Sequence, residues 1–333
     1  MRLRTLATEV AALCLAALLT VVALAPTATA RPASARSTLA AQDAAFVNAA
    51  FHDFVLHGPS ASSSAYWTGR LVAGTTTRAA LATYLANSSA AARAYLIRMY
   101  LGLLGRAPSD AALASRASQL TAHHATRRSV AVALLSSNEF YQHTASGSTT
   151  QWVERLYALL LPTSSATPTQ VARWVALADS QGLTATAAQF YDSAGARSLR
   201  VQVLYFRMLR RPASGASLAH WADVDRAGDI AVAVPIAAST EYLNLAQTRG
   251  DPRIVSPLSL VAHVGVPATF TVSPYTYLGP PGVGLFTFPP GMTETGFATF
   301  AGTPTRAGTF HTFVILNDQT DLVIDTLTVT VLP

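Results

Sequence analysis

Tyr100-Leu-Gly-Leu-Leu-Gly-Arg-Ala-Pro108 decides the fold, because the chain says it more than once. Phe51-His-Asp-Phe-Val-Leu-His-Gly-Pro59 and Tyr205-Phe-Arg-Met-Leu-Arg-Arg-Pro212 echo it, and Tyr157-Ala-Leu-Leu-Leu-Pro162 is a fainter copy. The leading aromatics stand 49, 57 and 48 residues apart, a period that makes most of the chain an array of small units. Arrays of this kind build surfaces and spacers.

Around each echo the pattern is helical from Ala44 to about Thr248. Phe46, Val47, Ala50, Phe51, Phe54 and Val55 form one apolar face, with Asn48, Asp53 and His57 between them. Each unit reads as three helices. Unit one (44–90) has them at 44–57, 62–73 and 77–87, and unit two (91–144) at 91–104, 110–121 and 127–142. Unit three (149–196) has them at 149–161, 168–180 and 184–194, and unit four (197–248) at 197–209, 215–227 and 230–246. Gly105 can take the left-handed conformation that ends a helix, and Pro108 cannot continue one. Ser109, Thr167 and Ser214 stand as N-caps of second helices, with Pro168 at the first helical position. Thr77, Thr126 and Asp229 are placed to cap third helices. Pro235 should kink the last of these or move its start. Units this small need neighbours to complete a core, so the array is expected to stack into one elongated or curved body, and removing a unit should expose apolar surface.

A tryptophan recurs in the second helix, as Trp67, Trp174 and Trp221, where unit two has Arg116. The third helix closes on Ser137-Asn-Glu-Phe140 in unit two and Ser239-Thr-Glu-Tyr242 in unit four. Aromatics at matching places in a repeat are read as staples that bury one helix on another. With the phrase aromatic-x-x-Leu-Leu-Gly-Arg-x-Pro and the closing Ser-x-Glu-Phe, the repeats resemble the bacterial domain-of-unknown-function family numbered 4214. Unit two, 95–142, carries the resemblance best, and unit three has lost the Gly-Arg-x-Pro turn. The resemblance implies all-α repeats of secreted and surface-layer-like proteins, and it carries over no catalytic residue.

Gly250-Asp-Pro252 ends the helical pattern. Thr309–Leu316 and Leu322–Val331 read as strands, the second with Leu327, Val329 and Val331 on one face and Thr326, Thr328 and Thr330 on the other. Residues 250–256 are read as a linker and 257–333 as a small β-sandwich. Val264–Val272, Pro289-Pro-Gly-Met292 and Gly302-Thr-Pro-Thr-Arg-Ala-Gly-Thr309 resemble the Ig-like domain of bacterial extracellular proteins, which implies a spacer or adhesive module. The fold class expected is therefore multidomain: an all-α array of three-helix repeats followed by an all-β Ig-like sandwich.

The ends and the composition set the compartment. Arg2 and Arg4, the apolar run Val10–Ala25 and Ala28-Thr29-Ala30 read as a signal peptide over 1–30, followed by a linker at 31–43. Cys14, the single cysteine, lies inside it, so the mature chain has no disulfide. No later segment is apolar enough to span a bilayer. The expected location is secreted or extracellular, with cell-wall association. All 23 basic residues are arginine, the codon bias of a GC-rich genome of actinobacterial kind. Residues 31–253 carry 20 Arg against 12 acids, and 254–333 carry one against four, so the basic half favours anionic wall polymers or acidic glycans as partners. Nucleic acid is disfavoured by the export signal.

No P-loop, G-x-S-x-G, H-E-x-x-H or calcium-loop motif occurs. His123 and His124, adjacent and about 100° apart on a helix, cannot share a metal and read as solvated. Asp223, Asp225 and Asp229 read as helix caps, and Asn317, Asp318 and Asp321 are too sparse for calcium. No catalytic, metal or cofactor residue is assigned, and no binding residue is named. The function expected is a non-enzymatic binding or structural protein, adhesive to wall or glycan. The alternative is an accessory module or enzyme acting on extracellular polysaccharide, which would need a cleft with paired carboxylates.

Overall fold

The computed structural model describes residues 33–161, 166–276, 282–317 and 321–333. The expected signal peptide lies outside the described residues. Helices come first: α1 (Ala33–Val55), α2 (Ala61–Val72) and α3 (Arg78–Ala86) form unit one, and α4 (Ser89–Leu104), α5 (Asp110–Thr121) and α6 (Arg127–Leu135) form unit two. Unit three is α7 (Thr149–Leu160), α8 (Pro168–Gln181) and α9 (Leu183–Tyr191). Unit four is α10 (Ala194–Leu209), α11 (Gly215–Val224), α12 (Asp229–Ala238) and the short α13 (Thr240–Ala246).

Serine and threonine start these helices by accepting a first-turn N–H, as Ser109, Thr126, Thr167 and Ser214 do. Gly105 ends α4 at φ +66°. Two expectations are corrected. Residues 33–43, read as linker, are already helical in α1. Asp229 is not a cap: α12 starts from Gly228 with no side-chain cap, and the Asp229 carboxylate turns to an arginine instead. The expected third helices of units two and four also break. Helix α6 stops at Leu135 before a π-turn at Phe140–Thr144. Pro235 sits inside α12, and the break comes at Ser239, which caps α13.

The four units do not follow one another as an open stack. Phe46, Leu81 and Leu85 of unit one share a core with Val201, Met208 and Tyr242 of unit four. Leu96, Leu113 and Leu135 of unit two share a second core with Trp152, Leu156 and Phe190 of unit three. First therefore meets last, and the array closes. Apolar volume explains this. A three-helix unit presents more apolar face than its own helices cover, and each fully buried Phe or Leu contributes about 1.5–3 kcal/mol once covered. Trp152 fixes the second pairing, because its buried ring donates Nε1–H to the Leu135 carbonyl at 2.8 Å. The repeated tryptophans act as staples between second and third helices: Trp67 lies 4.9 Å from Tyr84, and Trp174 lies 4.9 Å from Phe190.

Strands follow. β1 (Arg253–Ile254), inside the expected linker, pairs with β4 (Pro274–Tyr275) of the expected sandwich. A four-stranded sheet runs in the order β2 (Ser259–His263), β9 (Leu322–Leu332), β8 (Gly308–Asn317), β5 (Gly282–Phe286), with β2 parallel to β9. A three-stranded antiparallel sheet runs β3 (Ala268–Thr271), β7 (Thr299–Gly302), β6 (Met292–Gly296). Leu327, Val329 and Val331 meet Phe300 and Met292 between the sheets, and the threonines alternate away as expected. The two sequence phrases Pro289-Pro-Gly and Gly302-Thr-Pro-Thr lie against each other: Thr303 N donates to Gly291 O at 3.1 Å and Thr305 N to Pro290 O at 2.9 Å. A Cβ on Gly291 would sit 2.1 Å from the Thr303 carbonyl, so only glycine permits this approach.

The strands are not a module held off by a linker. Phe313 and Ile324 of the four-stranded sheet join the core of units two and three, and Ile324 N donates to Leu56 O at 2.6 Å. Thr38–Pro333 is one compact unit. At its joint Asp53 of α1 accepts from Tyr242 Oη at 2.6 Å and from Arg249 Nη1 at 2.6 Å. Arg249 also bonds Asp321, which takes a second guanidinium from Arg210 at 2.5 Å. Burial pushes Asp53 up, but Arg249 and Arg207 outweigh it and hold the carboxyl below its ordinary value. Arg249→Ala should cost about 3–5 kcal/mol, since it strands buried carboxylates. Urea denaturation followed by circular dichroism would measure this, and the helical and strand signals should be lost together.

Candidate functional site

The repeated phrases prove to be parts of one clamp. In unit two Arg106, from Gly-Arg-x-Pro, reaches Glu139, from Ser-x-Glu-Phe, with Nε to Oε1 at 2.5 Å and Nη2 to Oε2 at 2.7 Å. In unit four Arg211 grips Glu241 with the same two distances. Each guanidinium also lies over the phrase's leading ring, 5.4 Å from Tyr100 and 5.3 Å from Tyr205. Ser137 and Ser239 cap the turn that presents the glutamate. The arginine hydrogen bonds hold Glu139 and Glu241 below the usual carboxylate range. These residues hold the first helix of a unit to the end of its third, so their role is structural.

The candidate site lies where the ends of all four units come together, in a cavity of about 480 Å³. Asn87 and Ala92 come from the junction of units one and two, and Arg127 and Arg128 from the first turn of α6. Tyr191 and Asp192 close unit three. Unit four gives Arg200, the 3₁₀ turn Asp225–Ala227 and the start of α12 from Gly228 to Ala231. No single stretch of sequence encodes it.

Arginine–aspartate pairs, two of them between units, make its walls. Arg127 Nη1 donates to Asp229 Oδ2 at 3.0 Å, joining units two and four. Arg128 holds both oxygens of Asp192, joining two and three. Arg200 Nε and Nη2 donate to Asp225 Oδ2 at 3.0 and 2.5 Å, and its guanidinium lies 4.0 Å from the Tyr191 ring centre. Arg226 reaches out to Asp223 at 2.6 Å. The expectation that Asp223, Asp225 and Asp229 act as caps is thus overturned, because each carboxylate meets a guanidinium.

The buried Asp225 and the half-buried Asp229 titrate apart. Burial pushes Asp229 up, but the charge and hydrogen bond of Arg127, with Arg98 and Arg207 nearby, bring it below its ordinary value. Burial pushes Asp225 up and prevails over Arg200. Burial likewise carries the Tyr191 phenol up to about 12, and with Arg207 it lowers Arg98 to about 10.

His123, at φ +58°, reaches the rim of the cavity, while both it and His124 are exposed at the end of α5. Asp318 lies outside the described residues, and Asp321 serves the ion pairs at the strand joint. Among the described residues no group of three or more His, Cys, Asp or Glu is arranged to hold a metal. Sequence reasoning missed Arg127, Arg128, Arg200, Arg226, Tyr191 and Asp192. One signal was available: Thr77-Arg78 and Thr126-Arg127 open the third helices of units one and two alike, and both arginines reach an aspartate of another element.

Residues 87–144 match the family described as "Domain of unknown function (DUF4214)". The matched segment is unit two with its entry turn and its Arg–Glu clamp. No curated protein matches the chain. Solved structures include an assigned alpha-galactosidase from Bacteroides fragilis at 17% identity, with a TM-score of 0.23, covering 24% of this chain and 17% of that one. An assigned alpha-galactosidase/melibiase from the same organism gives 15% identity, the same TM-score and the same coverages. The chain therefore spans less than a fifth of either structure, and neither likeness bears on the fold or the site.

Acid should loosen this architecture. Asp53, Asp229, Asp251, Glu139 and Glu241 sit below their ordinary values, so they stabilise the fold above about pH 4 and lose that effect as pH falls through their native values. Asp225 and Asp325 are raised, so their charged forms cost stability at neutral pH and that cost fades on acidification. The lowered set is the larger, so the urea midpoint should drop as pH is taken from 6 to below about 4.

Proposed function

We propose that this chain is an exported, non-enzymatic binding and structural protein of the cell surface or extracellular space. Its helical body would engage an anionic wall polymer or acidic glycan, and its strands would act as a spacer or adhesive module. The observation that supports this is the cavity at the four-unit junction, which draws Arg127, Arg128, Arg200 and Arg226 to one place. The arginine excess of residues 31–253 agrees with it. Export rests on the leader-like sequence at 1–30. Among the described residues no helix is long and apolar enough to cross a membrane.

A second reading is a hydrolase or accessory factor acting on extracellular polysaccharide. It is supported by Asp225 and Asp229, which line one cavity with carboxyls shifted in opposite directions, as an acid and base pair requires. Against it, each carboxylate is tied to an arginine by the hydrogen bonds described above.

Co-sedimentation of the mature protein with purified cell walls tests both readings. Binding at low salt that falls steeply between 50 and 500 mM, without release of soluble sugar, is the expected result. Sugar released over hours would favour the enzyme instead. No retention at any salt would remove the wall-polymer reading.

A further inference from the structure

The cavity carries two unlike demands, and together they narrow the ligand. The first is for an anion. The α6 helix (Arg127–Leu135) and the α12 helix (Asp229–Ala238) both begin on its wall, and the first-turn N–H groups of a helix carry partial positive charge. At α12 the N-cap is Gly228, which supplies no side-chain acceptor. Arginine outnumbers aspartate on the lining, and two of the arginines are accessible. Arg128 is 46% exposed, and Arg226, paired with Asp223 outside the lining, is 64% exposed. Ion pairs this open are worth little, so an incoming oxyanion can replace the aspartate at small cost. Arginine forks suit carboxylate and phosphate alike.

The second demand is for a hydrogen-bond donor. Asp225 is 4% exposed and lines the same cavity. Arg200 takes its Oδ2 twice, and among the described residues Oδ1 has no hydrogen-bond partner. A buried carboxylate oxygen left without a donor is costly, and a ligand hydroxyl that reached it would recover that cost. A simple carboxylate meets only the first demand, and hydrogen phosphate, whose own P–O–H can donate, fills little of a cavity of about 480 Å³. A neutral sugar meets only the second. The cavity volume is in the range that holds small-molecule ligands.

We propose that this cavity binds a single acidic saccharide unit, its carboxylate or phosphate held by Arg128, Arg226 and the start of α12, and a hydroxyl donating to Asp225. This rests on the binding reading above and specifies its ligand.

Isothermal titration of the full mature chain with glucuronic acid, glucose 6-phosphate, glucose and inorganic phosphate tests it. At least one of the first two should bind at least tenfold more tightly than either of the last two, and which one does identifies the acid. Arg226→Gln, at an exposed position that leaves the fold intact, should weaken that binding about tenfold. Asp225→Asn, checked for folding by circular dichroism, should bring the acidic sugar toward the affinity of inorganic phosphate. Equal binding of phosphate and acidic sugar would overturn the saccharide assignment. An unchanged affinity in Arg226→Gln would overturn the site. If neither acidic sugar binds while cell walls still retain the protein, this cavity proposal falls and the wall-binding reading stands; if walls are not retained either, both fall.

Discussion

A buried carboxylate, Asp53, holds the two ends of this fold in register. It lies in the first helix, yet its partners come from the far end of the helical region: Tyr242 from the last helix, Arg249 just beyond it, and Arg207 at 3.9 Å. Through Arg249 the same charge reaches Asp321 beside the last strand. A charge so deep is tolerable only when its partners are placed together, so first helix, last helix and strands must assemble as one. Asp53 is less a source of stability than a condition on which packings are allowed. Any arrangement that parts unit one from unit four leaves it unpaired.

Arginine then does the rest of the joining. With no lysine in the chain, each cation is a planar fork, able to grip a carboxylate with two hydrogen bonds while lying on an aromatic ring. The protein uses that combination at Arg106 and Arg211 inside units. Arg200 repeats it over Tyr191 with Asp225, while Arg127 lies over Tyr95 and divides its hydrogen bonds between Asp229 and the Ala86 carbonyl. A composition bias that carries no functional meaning on its own has thus become the connecting chemistry of the helical body.

How much of this could be read in the sequence divides by distance along the chain. Local signals were dependable: Ser109, Thr167 and Ser214 cap the helices they precede, Gly105 ends its helix in the left-handed conformation, and the threonines of β9 face away from the leucine and valines. Long-range partnerships were not. Periodicity says that a face is apolar without saying which other face will cover it, so the pairing of unit one with unit four had no sequence sign. The aspartates failed for a related reason. Near a helix start, Asp229 looks like a cap, and only the fold brings Arg127 across to claim its carboxylate. The cavity is built wholly from such partnerships and was therefore invisible, although its arginines were in plain view.

Closure of the array also fixes a number. An open stack of repeats can gain or lose a member, because each new unit meets only the one before it and the end surface is merely moved along. Here the final unit must meet the first, so four is built into the geometry. A fifth unit inserted by duplication would push Val201 and Met208 away from Phe46 and part Asp53 from Arg249, where lengthening a solenoid would cost nothing of the kind. Such a protein cannot vary its length as extended repeat proteins do. Its variation is confined to what the four unit ends display where they meet.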